Sequence, residues 1–181
     1  MRMLPFITKY QIRKNLKVRN ASSQIIHGDL INNVAVFACL DSKYFEAAKS
    51  YAKKLRERGI CVVDLFVFVP NKKAVENFPT TLKDFPFFPS DFSFFGGFLS
   101  PELEHSLTSQ YEVALDLTNG ESLFADLVMS RVNAQLRAGF KLEDRLSFLD
   151  FMIDTNQSNI NDALSHLDKY LFNLNNNQHA A

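Results

Sequence analysis

The sequence predicts an α/β protein: a three-layer, Rossmann-like domain with a mostly parallel sheet of about five strands, preceded by a basic N-terminal helix. Three observations carry this. Val34 to Leu40 (VAVFACL) and Cys61 to Val69 are continuous apolar runs of strand length, the pattern of strands covered on both faces. The segment between them has helical spacing, and strand, helix, strand in succession implies a right-handed crossover and a parallel pair. Tyr111 to Phe140 (YEVALDLTNGESLFADLVMSRVNAQLRAGF) repeats that succession: strand, tight turn, amphipathic helix, strand.

Taken in order, the 181 residues divide into a basic arm over 1–24, one α/β domain over 25–174 and a polar tail over 175–181 that is expected to fray. Residues 5–18 suit a helix, with Pro5 acceptable in its first turn. Lys9, Arg13 and Lys17 fall at i, i+4 and i+8 as one basic stripe, while Met3, Phe6 and Tyr10 share another face that would pack the helix on the domain. Asn20 to Asp29 reads as a connector. After the first strand, Asp41 or Ser42 caps a helix whose apolar positions are Phe45, Ala48, Ala52 and Leu55, and Gly59 ends it.

From Pro70 to Pro101 the periodicity lapses into a long Phe-rich loop punctuated by Pro79, Pro86, Pro89 and Gly96-Gly97. Eight of the chain's 18 Phe lie between Phe78 and Phe98. Exposed together they would form an adhesive patch, so most are expected to pack across a sheet edge or to mediate self-association. Ser100 then caps a short helix with Pro101 at its first position. In the strand Tyr111 to Leu117, the side chains of Val113, Leu115 and Leu117 face one way. The helix over 122–134 buries Phe124, Leu127 and Val128, short strands follow at 136–140 and 148–153, and Ile160, Leu164, Leu167, Leu171 and Leu174 mark the last helix.

The charges balance at 20 basic and 20 acidic, but not locally. Arg2, Lys9, Arg13, Lys14, Lys17 and Arg19 precede the first acid, Asp29, so the arm carries six positive charges and the remainder 14 basic against 20 acidic side chains. Such an arm either meets something anionic or folds back on its own acidic body. Three readings follow: a docked terminal helix with solvated lysines, an anionic membrane surface or protein partner contacted through Lys9, Arg13, Lys14 and Lys17, or RNA. The lack of an aromatic RNA-binding motif argues against nucleic acid. Cys39 and Cys61 sit in apolar runs without CxxC spacing and read as small core residues. With no apolar leader and no long apolar span, the expected location is cytoplasmic, with the inner face of the membrane in reach of the arm.

Asp41, Asp116 and Asp154 follow or end strands, so a parallel sheet would bring them to one rim, where open α/β sheets bind ligands. Ser42 and the turn Thr118, Asn119 and Gly120 join them as a candidate small-molecule site, with backbone N–H groups free at a helix start. A capping role explains Asp41 more simply; Asp116, inside a strand, is the stronger member. No GxGxxG and no phosphate-loop signature occurs, so the ligand and any cofactor stay unassigned, and Mg²⁺ enters only if a phosphorylated ligand binds. His27, His105, His166 and His179 are scattered, no GxSxG is present, and no catalytic or metal-ligating constellation emerges.

The basic N-terminal helix, VAVFACLD, the loop DFSFFGGF before a short helix, and YEVALDLTN through LRAGF together resemble a family of small uncharacterised bacterial proteins, a domain of unknown function, over nearly the whole chain. That resemblance implies a cytoplasmic protein and no activity. Residues 111–140 are also similar to a Rossmann-like segment of the bacterial heptosyltransferases, which implies a shared half-domain. The favoured reading is a non-catalytic binding or interaction protein whose arm contacts an anionic surface or partner. The alternative is a nucleotide or nucleotide-sugar site, or a remnant glycosyltransferase-like domain, at the strand carboxyl ends.

Overall fold

The computed structural model describes residues 5–18, 26, 28–71, 83–118, 120, 122–142, 148–153 and 160–172. Six strands form one sheet: β1 (Asn33–Cys39), β2 (Val62–Phe68), β3 (Asp84–Phe87), β4 (Gln110–Asp116), β5 (Asn133–Phe140) and β6 (Phe151–Ile153). Their order is β3-β2-β1-β4-β5-β6, and every pairing is parallel. Among the described residues five α-helices accompany them: α1 (Pro5–Val18), α2 (Phe45–Glu57), α3 (Pro101–Thr108), α4 (Leu123–Arg131) and α5 (Ile160–Phe172). The α/β class expected from the sequence is therefore the observed one, with one more strand than the sequence suggested.

The continuous apolar runs have the expected cause. Along β1, Val34, Val36 and Ala38 enter the core on the side of α2 and α5, whereas Ala35, Phe37 and Cys39 enter the core on the side of α3 and α4. β2 divides in the same way, with Val63, Leu65 and Val67 on the first side and Phe66 and Phe68 on the second. Two faces need covering, so these strands read as near-continuous apolar runs, with Asn33, Val62 and Asp64 half-buried and the rest buried. Val113, Leu115 and Leu117 share the α2–α5 side, as their spacing predicts.

The extra strand lies in the segment that the sequence presented as loop. β3 is the sheet edge beside β2, with Phe85 opposite Phe66, Pro86 opposite Val67 and Phe87 opposite Phe68. An edge strand tolerates Pro86 because one of its sides has no ladder to lose. The register also explains the Phe excess. Phe37 stacks on Phe66 at 4.9 Å and Phe66 on Phe85 at 5.2 Å, so one row of rings crosses β1, β2 and β3. A second row runs from Phe68 to Phe124 and Phe87, then to Phe92 and Phe98. Phe94 and Phe95 remain outside, at a turn where Gly96 takes a φ of 79°.

The helix ends follow their sequences with one shift. Ser100 and Ser122 cap α3 and α4, accepting from the N–H groups of Leu103 and Ala125. α2 starts later than expected, at Phe45, and Ser42 Oγ accepts from the Tyr44 N–H instead of capping the helix directly. Cys39 is buried, but Cys61 precedes β2 and is exposed, so it is not a core residue. α5 is tied to α2 by Asp168, which receives two bonds from Arg58 (3.0 and 2.9 Å), one from Lys54 (3.1 Å) and one from the Tyr51 hydroxyl (3.2 Å). Leu174, Phe78 and the tail lie outside the described residues.

The ring rows yield a stability contrast. Phe66→Ala removes a fully buried ring in contact with Phe37, Phe85 and Tyr111 and should cost about 3–5 kcal/mol in urea unfolding. Phe95→Ala, at a side chain 65% exposed, should change stability by about 0.5 kcal/mol or less.

Candidate functional site

The strand order reverses between β1 and β4, so the crevice of an open α/β sheet falls outside their carboxyl ends. The sheet brings Asp41, Ser42, Asp116, Thr118 and Gly120 to that rim. Asp41 and Gly120 stand in solvent; Ser42 and Thr118 are buried, and Asp116 is 2% exposed. Asp116 Oδ1 accepts from the Thr118 N–H at 3.0 Å and from its hydroxyl at 2.7 Å. This is an Asx turn, which closes the strand and explains an aspartate within it. Thr118 Oγ1 in turn lies 3.4 Å from the Gly120 N–H, where φ is 71°. Gly139 on β5 completes the packing: a Cβ there would come within 2.6 Å of the Asp116 carbonyl oxygen. Asn119 and Asp154 lie outside the described residues.

Of the expected rim residues, Asp41, Ser42, Asp116, Thr118 and Gly120 follow or end the strands at their carboxyl ends, but the side chains of Ser42, Asp116 and Thr118 are engaged in their own turns. Among the described residues, no group of three or more His, Cys, Asp or Glu could hold a metal ion. A mostly apolar cavity of about 530 Å³ lies further along the rim, lined by Pro70, Phe88, Pro89, Phe92 and Leu99.

The arm gives a clearer surface. α1 packs on α4 through Thr8, Ile12 and Leu16, and Asn15 Nδ2 donates to Ser130 Oγ at 2.9 Å. At 3.6 residues per turn, the opposite face carries Phe6, Tyr10, Arg13 and Lys17 in one column, flanked by Lys9 and Lys14. All six are exposed, Phe6 at 83% and Tyr10 at 62%. The expectation that Phe6 and Tyr10 dock the helix is therefore overturned. The docking face instead carries Thr8, Ile12 and Leu16, aliphatic and branched side chains that pack against α4 and the core beneath it. Met3 lies outside the described residues. Among the described residues, Lys9, Arg13, Lys14 and Lys17 form no ion pair with an acid of the body.

A family model for proteins of unknown function, DUF6913, matches residues 5–174. The chain belongs to that family. The match spans both α1 and the α/β body. Comparison with curated proteins and with solved structures finds no match. No described helix is long and apolar enough to cross a membrane.

Two polar features escaped sequence reading. Arg137, in LRAGF, is 3% exposed, and its Nη2 donates to the carbonyls of Val132 (2.8 Å) and Ser130 (3.4 Å) at the end of α4. Its signal was an arginine inside an apolar strand. Asp64, in the buried run of β2, accepts from the Tyr111 hydroxyl at 2.7 Å. Burial pushes the Asp64 carboxyl above its ordinary range, against the opposing effect of the Tyr111 hydrogen bond and of Lys83 and Arg56. A carboxyl raised on folding favours the fold at low pH, and that contribution disappears as pH rises through its folded-state value. Asp64→Asn keeps an acceptor for Tyr111 and removes this dependence. The variant should gain on the parent protein in thermal unfolding as pH rises above the ordinary carboxylate range; a difference that does not change with pH would contradict the assignment.

Proposed function

We propose that the protein is a non-catalytic binding protein that attaches through α1 to an anionic lipid surface, working in the bacterial cytoplasm at the inner face of the membrane. The observation that carries this reading is the outward face of α1. Two exposed aromatic side chains and four exposed bases share it, while a different set of residues fixes the helix to α4. A helix held only by its aromatic face would turn its charges to water and hide its rings. Here the rings are left outside, in the arrangement by which interfacial helices seat aromatic groups among lipid headgroups while Lys and Arg reach the phosphates. Each base near an anionic surface contributes about 1 kcal/mol.

A second reading, a nucleotide or nucleotide-sugar site at the strand rim, has the reversal of strand order between β1 and β4 in its favour. The resemblance of residues 111–140 to heptosyltransferases, read from the sequence alone, would fit that reading as a shared half-domain geometry, which needs no shared activity. The internal bonding of Ser42, Asp116 and Thr118 puts the lipid reading ahead.

Flotation with vesicles tests it. Binding to phosphatidylglycerol-containing vesicles and not to pure phosphatidylcholine is expected, weakening as salt is raised. Arg13→Gln combined with Lys17→Gln, both at exposed positions, should cost about 2 kcal/mol, roughly a thirtyfold fall in partitioning, without loss of stability. Equal binding by the variant and the parent would reject α1 as the contact.

A further inference from the structure

A cavity of about 410 Å³ opens between α1, the end of α4 and the start of β5, and its lining is unusual for its charge. Lys14, Arg131 and Arg137 line it, together with Asn15, Ser130 and Asn133, and among the described residues no carboxylate does. The size falls within the range of about 300–1,000 Å³ usual for small-ligand sites. Two stretches remote in sequence, α1 and the α4–β5 junction, deliver these residues, and the contacts that position them are specific. Asn15 is held to Ser130, and Arg137 is fixed by the last carbonyls of α4. The Arg131 guanidinium sits 4.5 Å over the Phe98 ring with Nη2 toward the Gly96 carbonyl.

We propose that this cavity binds a phosphate group, with Lys14 and Arg137 as its principal cations and Asn15, Ser130 and Asn133 as hydrogen-bonding partners. The chemistry follows from the lining. Arginine presents planar paired donors suited to phosphate oxygens, lysine a flexible ammonium, and both are strongest where water is partly excluded. Arg137, almost wholly removed from water, is kept in place by the carbonyls at the end of α4 and sets a positive potential in the inner wall. Lys14, exposed at the rim, has the reach to close over a bound group. Arg131 adds to the field from its fixed position over Phe98. A phosphomonoester, whether on a free metabolite or on a lipid headgroup, presents the same dianion to this lining. The site shares Lys14 with the lipid-facing surface of α1 but does not depend on membrane attachment.

Isothermal titration of the full-length protein with inorganic phosphate, and flotation with vesicles carrying phosphatidic acid or an equal charge of phosphatidylglycerol, provide the test. Saturable one-to-one phosphate binding is expected. Lys14→Gln should weaken it roughly tenfold, the effect of one charge-assisted hydrogen bond, while Lys53→Gln, an exposed lysine on α2, should leave it unchanged. Arg137→Gln should abolish binding; if that variant fails to fold, Asn133→Asp, which brings a carboxylate to an exposed cavity position, replaces it and should weaken binding at least as much as Lys14→Gln. Preference for phosphatidic acid over phosphatidylglycerol at equal charge assigns the group to a headgroup, and phosphate binding without that preference assigns it to a soluble ligand. No saturable binding of either probe, or equal weakening by Lys53→Gln, would overturn the site. Loss of flotation on phosphatidylglycerol with phosphate binding intact would reject the lipid reading of α1 and leave this one standing.

Discussion

An all-parallel sheet leaves neither of its faces to water, and the organisation of the molecule follows from that constraint. α2 and α5 cover one face of β1, β2 and β4, while α3, α4 and the ring rows of the Phe-rich segment cover the other. α1 lies on α4 and adds Ile12 and Leu16 to that second core. Once Thr8, Ile12 and Asn15 are committed inward, the helical period leaves no freedom about what points outward. The exposed column of Phe6, Tyr10, Arg13 and Lys17 is thus a consequence of how the helix is docked.

The central strands were legible because burial on both sides erases alternation and leaves continuous apolar runs such as VAVFACL, too short for a buried helix and bounded by polar residues. β3 was not. Its signal, Asp84-Phe85-Pro86-Phe87, is short and contains a proline, and its partners become visible only when Phe85 and Phe87 are set beside Phe66 and Phe68. α1 was legible as a helix but not in its facing. Following the aromatic residues selects Phe6 and Tyr10 as the inner face, whereas Thr8, Ile12 and Leu16, on the other side of the helix, are the residues that pack against α4. The Asp168 cluster was invisible for another reason: its partners Tyr51, Lys54 and Arg58 lie 117, 114 and 110 residues away along the chain.

The strand rim illustrates the difference between position and role. Sequence placed Asp116 and Thr118 at the carboxyl end of a parallel strand, and they are there. What spacing does not disclose is that one Asp116 oxygen holds both the Thr118 N–H and its hydroxyl, a bond pattern that serves the turn. The charge asymmetry resolves in the other direction. A basic arm either folds back on an acidic body or faces outward, and among the described residues its lysines and arginine form no ion pair with the body. A neutral polar contact, from Asn15 to Ser130, joins the arm to the domain. Its cations stay available at the surface while the helix itself is anchored.

The outward face of α1 can be probed in isolation because the chain contains no tryptophan. Phe6→Trp introduces a single indole fluorophore at an exposed aromatic position without altering charge. On titration with phosphatidylglycerol vesicles its emission should shift to the blue and be quenched by lipids brominated near the headgroup end of the acyl chain, with neither change on phosphatidylcholine. Emission that stays at the water-exposed wavelength at saturating anionic lipid would show that this face does not meet the membrane.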